Sequence, residues 1–273
     1  MRLALIAFVA AIVNGALGYG FSSITVPLAL LFLDNRVLNP ALVLIEVGLN
    51  AYVLFVNRRA IADVWRRVVP IVIGLVPGIV IGTVIVSQLN PAWLRFATYL
   101  ALLPLILLQA GGYRRPIRAE HILGGLFGAA VGVLYAVTTI SGPPLAVMLS
   151  NQGFVLQQFR AALGLIRLAE SSLTGVSYLV AGLFTPDSIR LAATIVPGVA
   201  VGVPIGAWLI RRLRAETFRR ICMSFDAWIV AFGLSTVLRQ LHIVESSAAY
   251  LIVAGVGGID VVLLYRFFKK PAW

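Results

Sequence analysis

Apolar runs close to twenty residues long, or longer, follow one another along the whole chain, roughly at 3–33, 39–57, 68–87, 92–109, 121–150, 160–183, 188–210, 218–238 and 246–268. A bilayer core about 30 Å thick is crossed by a helix of about twenty apolar residues. Within it, only a structure that satisfies its own backbone polar groups is stable. The recurrence predicts an all-α polytopic membrane protein. Composition agrees: 60% of the 273 residues are hydrophobic and 12% are charged, against about 25% charged in a soluble domain. The polar connections are too short to form an extramembrane domain.

The net charge of +12 is carried by short Arg and Lys clusters between apolar runs. These read as orientation signals facing the cytoplasm, not as a nucleic-acid surface. The single cysteine, Cys222, excludes an intrachain disulfide and a cysteine metal cluster. His121 and His242 stand at segment ends, so neither a metal site nor a cofactor is expected. The sequence contains no nucleotide-binding loop and no paired-His, Cys–His or Ser–His constellation, which argues against an enzyme. The opening "MRLALIAFVAAIVNGALG" has the composition of a signal peptide, but it takes part in an internal repeat and is read as part of the fold.

That repeat starts from two segments of about thirty residues, too long for one simple crossing at ~1.5 Å per residue. Both are broken in the middle, by "NGALGYGFSSITVP" and by "VTTISGPP". "YGFSSITVPLALLFL" at 19–33 aligns with "YAVTTISGPPLAVML" at 135–149, setting Tyr19 on Tyr135, Ile24 on Ile140 and Pro27 on Pro143. Beyond an insertion the register continues with Glu46 on Glu170, Asp63 on Asp187, Arg66 on Arg190, Arg95 on Arg219, and Gly74, Gly78 and Gly82 on Gly198, Gly202 and Gly206. The expected organisation is a first repeat at 1–112, a second at 113–240 and an appended helix at 241–273, together one transport domain. Transporters are often built from such duplications.

Charge chooses the topology. If all nine segments cross once, Lys and Arg divide ten against eleven, with Arg167 inside the membrane. If 3–33 and 121–150 are hairpins that return to their own side, sixteen face five. The larger group comprises Arg58, Arg59, Arg66, Arg67, Arg114, Arg115, Arg118, Arg160, Arg211, Arg212, Arg214, Arg219, Arg220, Arg266, Lys269 and Lys270. The positive-inside rule selects the hairpins, an outside N-terminus and an inside C-terminus. Each repeat is then a broken hairpin plus three crossings, so the two are inverted. The hairpin arms, taken as equal at about 13–15 residues or ~20–22 Å at helical rise, fall short of a core about 30 Å thick, which favours re-entrant arms over full spans.

The "ITVP" and "ISGPP" segments, with Phe159-Arg160-Ala161 after the second, resemble the TauE/SafE sulfite-exporter (TSUP) family over roughly residues 5–240. The resemblance implies transport of a small anion, among them sulfite and organosulfonates, across the cytoplasmic membrane. A homo-oligomer is compatible with it. The first hairpin departs from the family's richer glycine run, with Phe21-Ser22-Ser23 after Gly18 and Gly20, so the particular substrate is not inherited.

A broken helix presents a fresh N-terminus, with unpaired N–H groups and about half a positive charge, and such an end binds anions. Thr138, Thr139 and Ser141 suit N-capping of the second arm, with Pro143 and Pro144 in its first turn. Ser22, Ser23 and Thr25 repeat the arrangement before Pro27. These residues, with Gly142 and Arg167, form the expected substrate-binding set. The alternative is that the prolines only kink packed helices. Glu46 and Glu170 occupy equivalent repeat positions and are the proton-coupling candidates, since ionisable residues within spans are functional by default. Arg167, three residues before Glu170, is expected to pair with it along one helix face, whether as part of the anion path or as a structural pair. Asp226 and Asp260 are weaker candidates, having no equivalent acid in the other repeat. The glycine ladders read as packing devices. The function these features favour is a secondary transporter of a small, sulfur-containing anion working by alternating access. An anion channel using the same sites is the alternative.

Overall fold

The computed structural model describes residues 2–111, 120–151, 154, 156–212 and 215–269. The join between the halves at 112–113, and Arg114, Arg115, Arg118, Arg214 and Lys270, lie outside the described residues. Eleven α-helices and no strand occur among those described: α1 (Arg2–Leu17), α2 (Phe21–Ala29), α3 (Asn35–Val56), α4 (Ile61–Gln88), α5 (Pro91–Ala110), α6 (Glu120–Thr138), α7 (Gly142–Asn151), α8 (Leu156–Val180), α9 (Pro186–Leu209), α10 (Ala215–Gln240) and α11 (Leu251–Lys269). Six helical stretches, those built on α3, α4, α5, α9, α10 and α11, are long and apolar enough to cross a membrane. The chain is an all-α polytopic membrane protein.

Both long segments are broken where the sequence places the breakers, but the arms are unequal. The first has 16 and 9 residues and the second 19 and 10, or ~24 and ~14 Å against ~28 and ~15 Å. The breakers lie beyond the midpoint of each apolar run, so the first arm is long and the second short. The expectation of equal arms is corrected accordingly.

Pairing is reciprocal. α1 runs along α9 and α6 along α4, α3 touches α9 and α8 touches α4, α2 touches α10 and α7 touches α5, and α3–α8 and α5–α10 pair equivalent helices of the two halves. The glycine ladders serve the first two contacts. A Cβ at Gly78 would collide with the carbonyl of Ala129, and one at Gly206 with the carbonyl of Ile12. At these crossings the backbones approach as small-residue faces permit in membrane helices.

The apolar core has two large clusters and two small ones, Val43 with Tyr135 and Tyr178, and Val86 with Leu94 and Val137. One large cluster joins α1, α2, α3, α5, α9 and α10; the other joins α4, α6, α7 and α8. Along the α3–α8 contact the burial turns polar. α3 contributes Asn35, Asn39, Glu46 and Asn50, and α8 contributes Arg167, Glu170, Ser171 and Thr174, all buried. Each set keeps to one helical face by its spacing. α8 does not count among the apolar spans because it carries these groups, and it is held centrally between α3 and α4. α11 lies on α10, fixed where Asp260 accepts from Arg220 (2.7 Å), Ser224 (3.1 Å) and Trp228 Nε1 (3.1 Å). Arg220, counted above as a loop charge, is therefore a buried partner within α10, which removes one from the sixteen.

Candidate functional site

The two breaks are built differently. Gly18 and Gly20 take left-handed conformations (φ 81° and 104°), the region glycine enters without strain. Gly20 then caps α2 with no side-chain hydrogen bond. Ile24 is the first residue to bond back, donating its N–H to the Gly20 carbonyl at 3.3 Å, so the N–H groups of Phe21, Ser22 and Ser23 fall outside the helix's own ladder. At the second break the left-handed residue is Thr139 (φ 55°), buried and β-branched, a conformation that marks strain held in place by its surroundings.

The expected capping of α7 is not what forms. Thr138 Oγ1 donates to the Leu134 carbonyl (2.7 Å) and accepts from Ile140 N–H (3.0 Å). Thr139 Oγ1 donates to the Thr138 carbonyl (2.7 Å). Ser141 stands just before α7, yet its hydroxyl donates to Glu170 Oε2 (2.6 Å). Pro143 and Pro144 follow Gly142 in the first turn, and neither has an N–H. Of the first three residues of that turn, Gly142 alone has an N–H. A donor-rich helix terminus was expected at both breaks; Pro143 and Pro144 take two donors from the first turn of α7, whereas the first turn of α2 holds no proline.

Between the breaks lies a closed charge cluster. Glu46 Oε1 accepts from Arg167 Nη2 (2.8 Å) and from Ser22 Oγ (2.5 Å), and its Oε2 accepts from Tyr135 Oη (2.5 Å). Arg167 thus pairs with Glu46 across the α3–α8 contact. The expected local pair with Glu170 does not form, because the packing brings another helix's carboxylate to the guanidinium. Glu170 receives the Ser141 hydroxyl on one oxygen, and its Oε1 has no hydrogen-bond partner; neither do Arg167 Nε and Nη1. Exposure of these groups is at most 3%. The site holds two carboxyls and one guanidinium, with the spare donors on Arg167 and the spare acceptor on Glu170. Buried charges left partly unpaired are expensive, and such sites concentrate where a ligand or proton comes and goes.

Of the expected residues, the structure gathers Ser22, Glu46, Ser141, Arg167 and Glu170 into this cluster. Ser23 instead lines a small cavity of about 20 Å³ between the breaks, with Gly20 and Pro143. Thr25 is buried with its hydroxyl unpartnered. Tyr135 is a cluster member not singled out beforehand, although its match to Tyr19 across the repeat was a signal. Asn39 and Tyr178 were also missed. They donate to the Val137 carbonyl (2.7 Å) and the Ala136 carbonyl, closing the open end of α6. Asn50 donates to the Arg167 carbonyl (3.2 Å) and fixes the turn that carries the guanidinium. Among the described residues, no group of three His, Cys, Asp or Glu is placed to hold a metal ion.

Helices broken inside a polytopic bundle, with ionisable groups buried at the breaks, are an arrangement found in membrane transport proteins. The chain belongs to the sulfite exporter TauE/SafE family, whose family model matches residues 3–236, and that is a family of membrane transporters. No curated protein and no solved structure matches the chain.

Proposed function

We propose that the protein is a secondary transporter that carries a small sulfur-containing anion, such as sulfite or a sulfonate, across the cell membrane by alternating access. The observation that carries this reading is Arg167. Its guanidinium is buried, holds Glu46 with one nitrogen and keeps two others unpartnered, beside a hydroxyl-lined break in each half. A tetrahedral or pyramidal oxyanion matches the planar fork of a guanidinium. The cluster is shut off from solvent on all sides, as an occluded carrier requires and an open pore does not, which favours the transporter over the channel.

The two inverted repeats, 1–112 and 113–240, belong to the same proposal. They are supported by the reciprocal pairing of α1 with α9 and α6 with α4. So does the orientation, with an outside N-terminus and the amino ends of α4 and α10, with the connections that precede them, on the cytoplasmic side. Of the two proton-coupling candidates, the geometry favours Glu170. Both Glu46 oxygens are engaged and a guanidinium neutralises it, whereas one Glu170 oxygen is free to carry a proton.

The test is a thermal-stabilisation screen of purified protein against sulfite, sulfate, thiosulfate and C2 sulfonates, since a ligand that binds only the folded state raises its apparent stability. Stabilisation by at least one of them, lost in Arg167→Gln, is expected. Flux that stays linear in concentration where a carrier saturates would move the assignment to a channel.

A further inference from the structure

Asp226 belongs to neither the charge cluster nor the α10–α11 tie. It is 6% exposed, its Oδ1 has no hydrogen-bond partner, and it lines the cavity that Gly20 and Ser23 of α2's amino end also line. The remaining walls are chiefly apolar, with Val13 and Leu17 from α1 and Ile106 from α5. Among the other described lining residues, only Tyr19, from the first break, and Cys222, one turn back on α10, can titrate, and none is Lys or Arg. The contrast within the molecule is direct: Glu46 has Arg167 and Asp260 has Arg220, while among the described residues that line the cavity of Asp226 there is no cation.

The positive partner present there is α2's amino end, with its first-turn N–H groups outside the ladder and its dipole directed at the cavity. A carboxylate in this place is the resident anion of the site an incoming anion must use. Two anions at one helix end repel each other in a weakly polarisable interior, and a cavity of about 20 Å³ leaves room for about one water beside the carboxylate. A proton on Asp226 removes the competing charge, and the neutral carboxyl becomes a hydrogen-bond donor to the newcomer.

We propose that Asp226 is a proton-binding site of the transport cycle: it occupies α2's amino end when ionised and takes up a proton as a substrate anion moves in. This rests on reading the protein as an anion transporter. Anion affinity and proton uptake are then linked at Asp226, in addition to the proton proposed for Glu170.

The experiment uses the full-length protein in detergent, with sulfate and 2-hydroxyethanesulfonate as probes, because neither changes charge across the neutral range. Calorimetry in buffers of different ionisation enthalpy counts the protons taken up per anion. Asp226→Asn is expected to take up one proton fewer than wild type. Its affinity should lose the corresponding pH slope of about tenfold per unit. If the Asn variant is not monodisperse, Asp226→Ser makes the same comparison. An unchanged proton count and pH slope in the variant overturn the proposal while leaving the transporter reading intact. So does a wild-type count of zero. Failure of both anions to bind wild type overturns the transporter reading and this proposal with it.

Discussion

Arg167 on α8 donates to Glu46 on α3 at 2.8 Å, reaching across the polar seam and not to Glu170, one turn further along its own helix. This cross-helix pair fastens the two central helices inside an interior where an unpaired charge is costly. Removing one member of a buried pair costs about 3–5 kcal/mol. Glu46→Gln is therefore expected to lower stability strongly, and Glu46→Gln combined with Arg167→Gln to recover part of the loss. Unfolding midpoints of the single and double variants in the same detergent measure the coupling. If Glu46→Gln alone is neutral, the guanidinium has turned to Glu170, and adding Glu170→Gln should then restore the cost.

Glu170→Gln should behave differently. The Ser141 hydroxyl can still donate to the side-chain amide oxygen, and no cation is stranded, so the stability loss is expected to be smaller than that of Glu46→Gln. Transport should be hit instead. A carboxyl that takes its proton together with the anion makes affinity rise as pH falls, and the Gln variant cannot follow. In proteoliposomes, wild type should respond to an imposed pH gradient and Glu170→Gln should respond clearly less. Equal responses would return Glu170 to a structural role.

The spans, the two breaks and the buried acids were all legible in the sequence, because each depends on a local rule: apolar length, a proline's missing N–H, or the cost of a charge in hydrocarbon. Arg167's partner was not. An i, i+3 spacing makes the Glu170 pair geometrically available, but the choice of partner is made by how α3 packs on α8, which no local pattern records. The carbonyl-closing roles of Asn39 and Tyr178 were hidden for the same reason. The poor donor content of α7's first turn was different. Pro143 and Pro144 announce it directly, because each lacks the N–H that a helix terminus would offer an anion.

Orientation rests on the charge split and is checked from outside the cell. In a Cys222→Ser background, single cysteines at Ala62 and Arg212, both exposed, should resist a membrane-impermeant thiol reagent in intact cells and react after permeabilisation. A cysteine at Arg190, on the opposite side in the hairpin topology, should react in intact cells. External labelling at both Ala62 and Arg212 would overturn the hairpins.

The tight crossings make a graded packing test. Gly206→Ala brings a Cβ against the Ile12 carbonyl, and Gly78→Ala brings one against that of Ala129. Helix separation must increase in either case, at a cost of about 1–3 kcal/mol. Gly48→Ala and Gly258→Ala meet nothing within 4 Å and should keep wild-type melting temperatures. Equal effects at all four positions would mean that the ladders do not set the helix spacing.

The last prediction separates the two breaks. Since α2 keeps its first-turn N–H groups and α7 has lost two to proline, the anion should depend on α2's end more than on α7's. Ser23 lines the cavity at that end, so Ser23→Asp puts a permanent negative charge beside the donors and should abolish anion-induced stabilisation. Ser23→Ala removes at most one neutral hydrogen bond, about 0.5–1.5 kcal/mol, and should weaken binding modestly. Ser141 faces a different group, Glu170, at 2.6 Å. Ser141→Asp therefore sets one carboxyl against another and should force the pair to share a proton, showing first as an altered pH dependence of stability. Ser141→Ala takes away the hydroxyl that donates to Glu170 and should perturb the same pH dependence while sparing affinity. Anion titrations at several pH values across the four variants decide it. A stronger loss of binding in Ser141→Asp than in Ser23→Asp would shift the anion to α7 and leave α2's free N–H groups without a ligand.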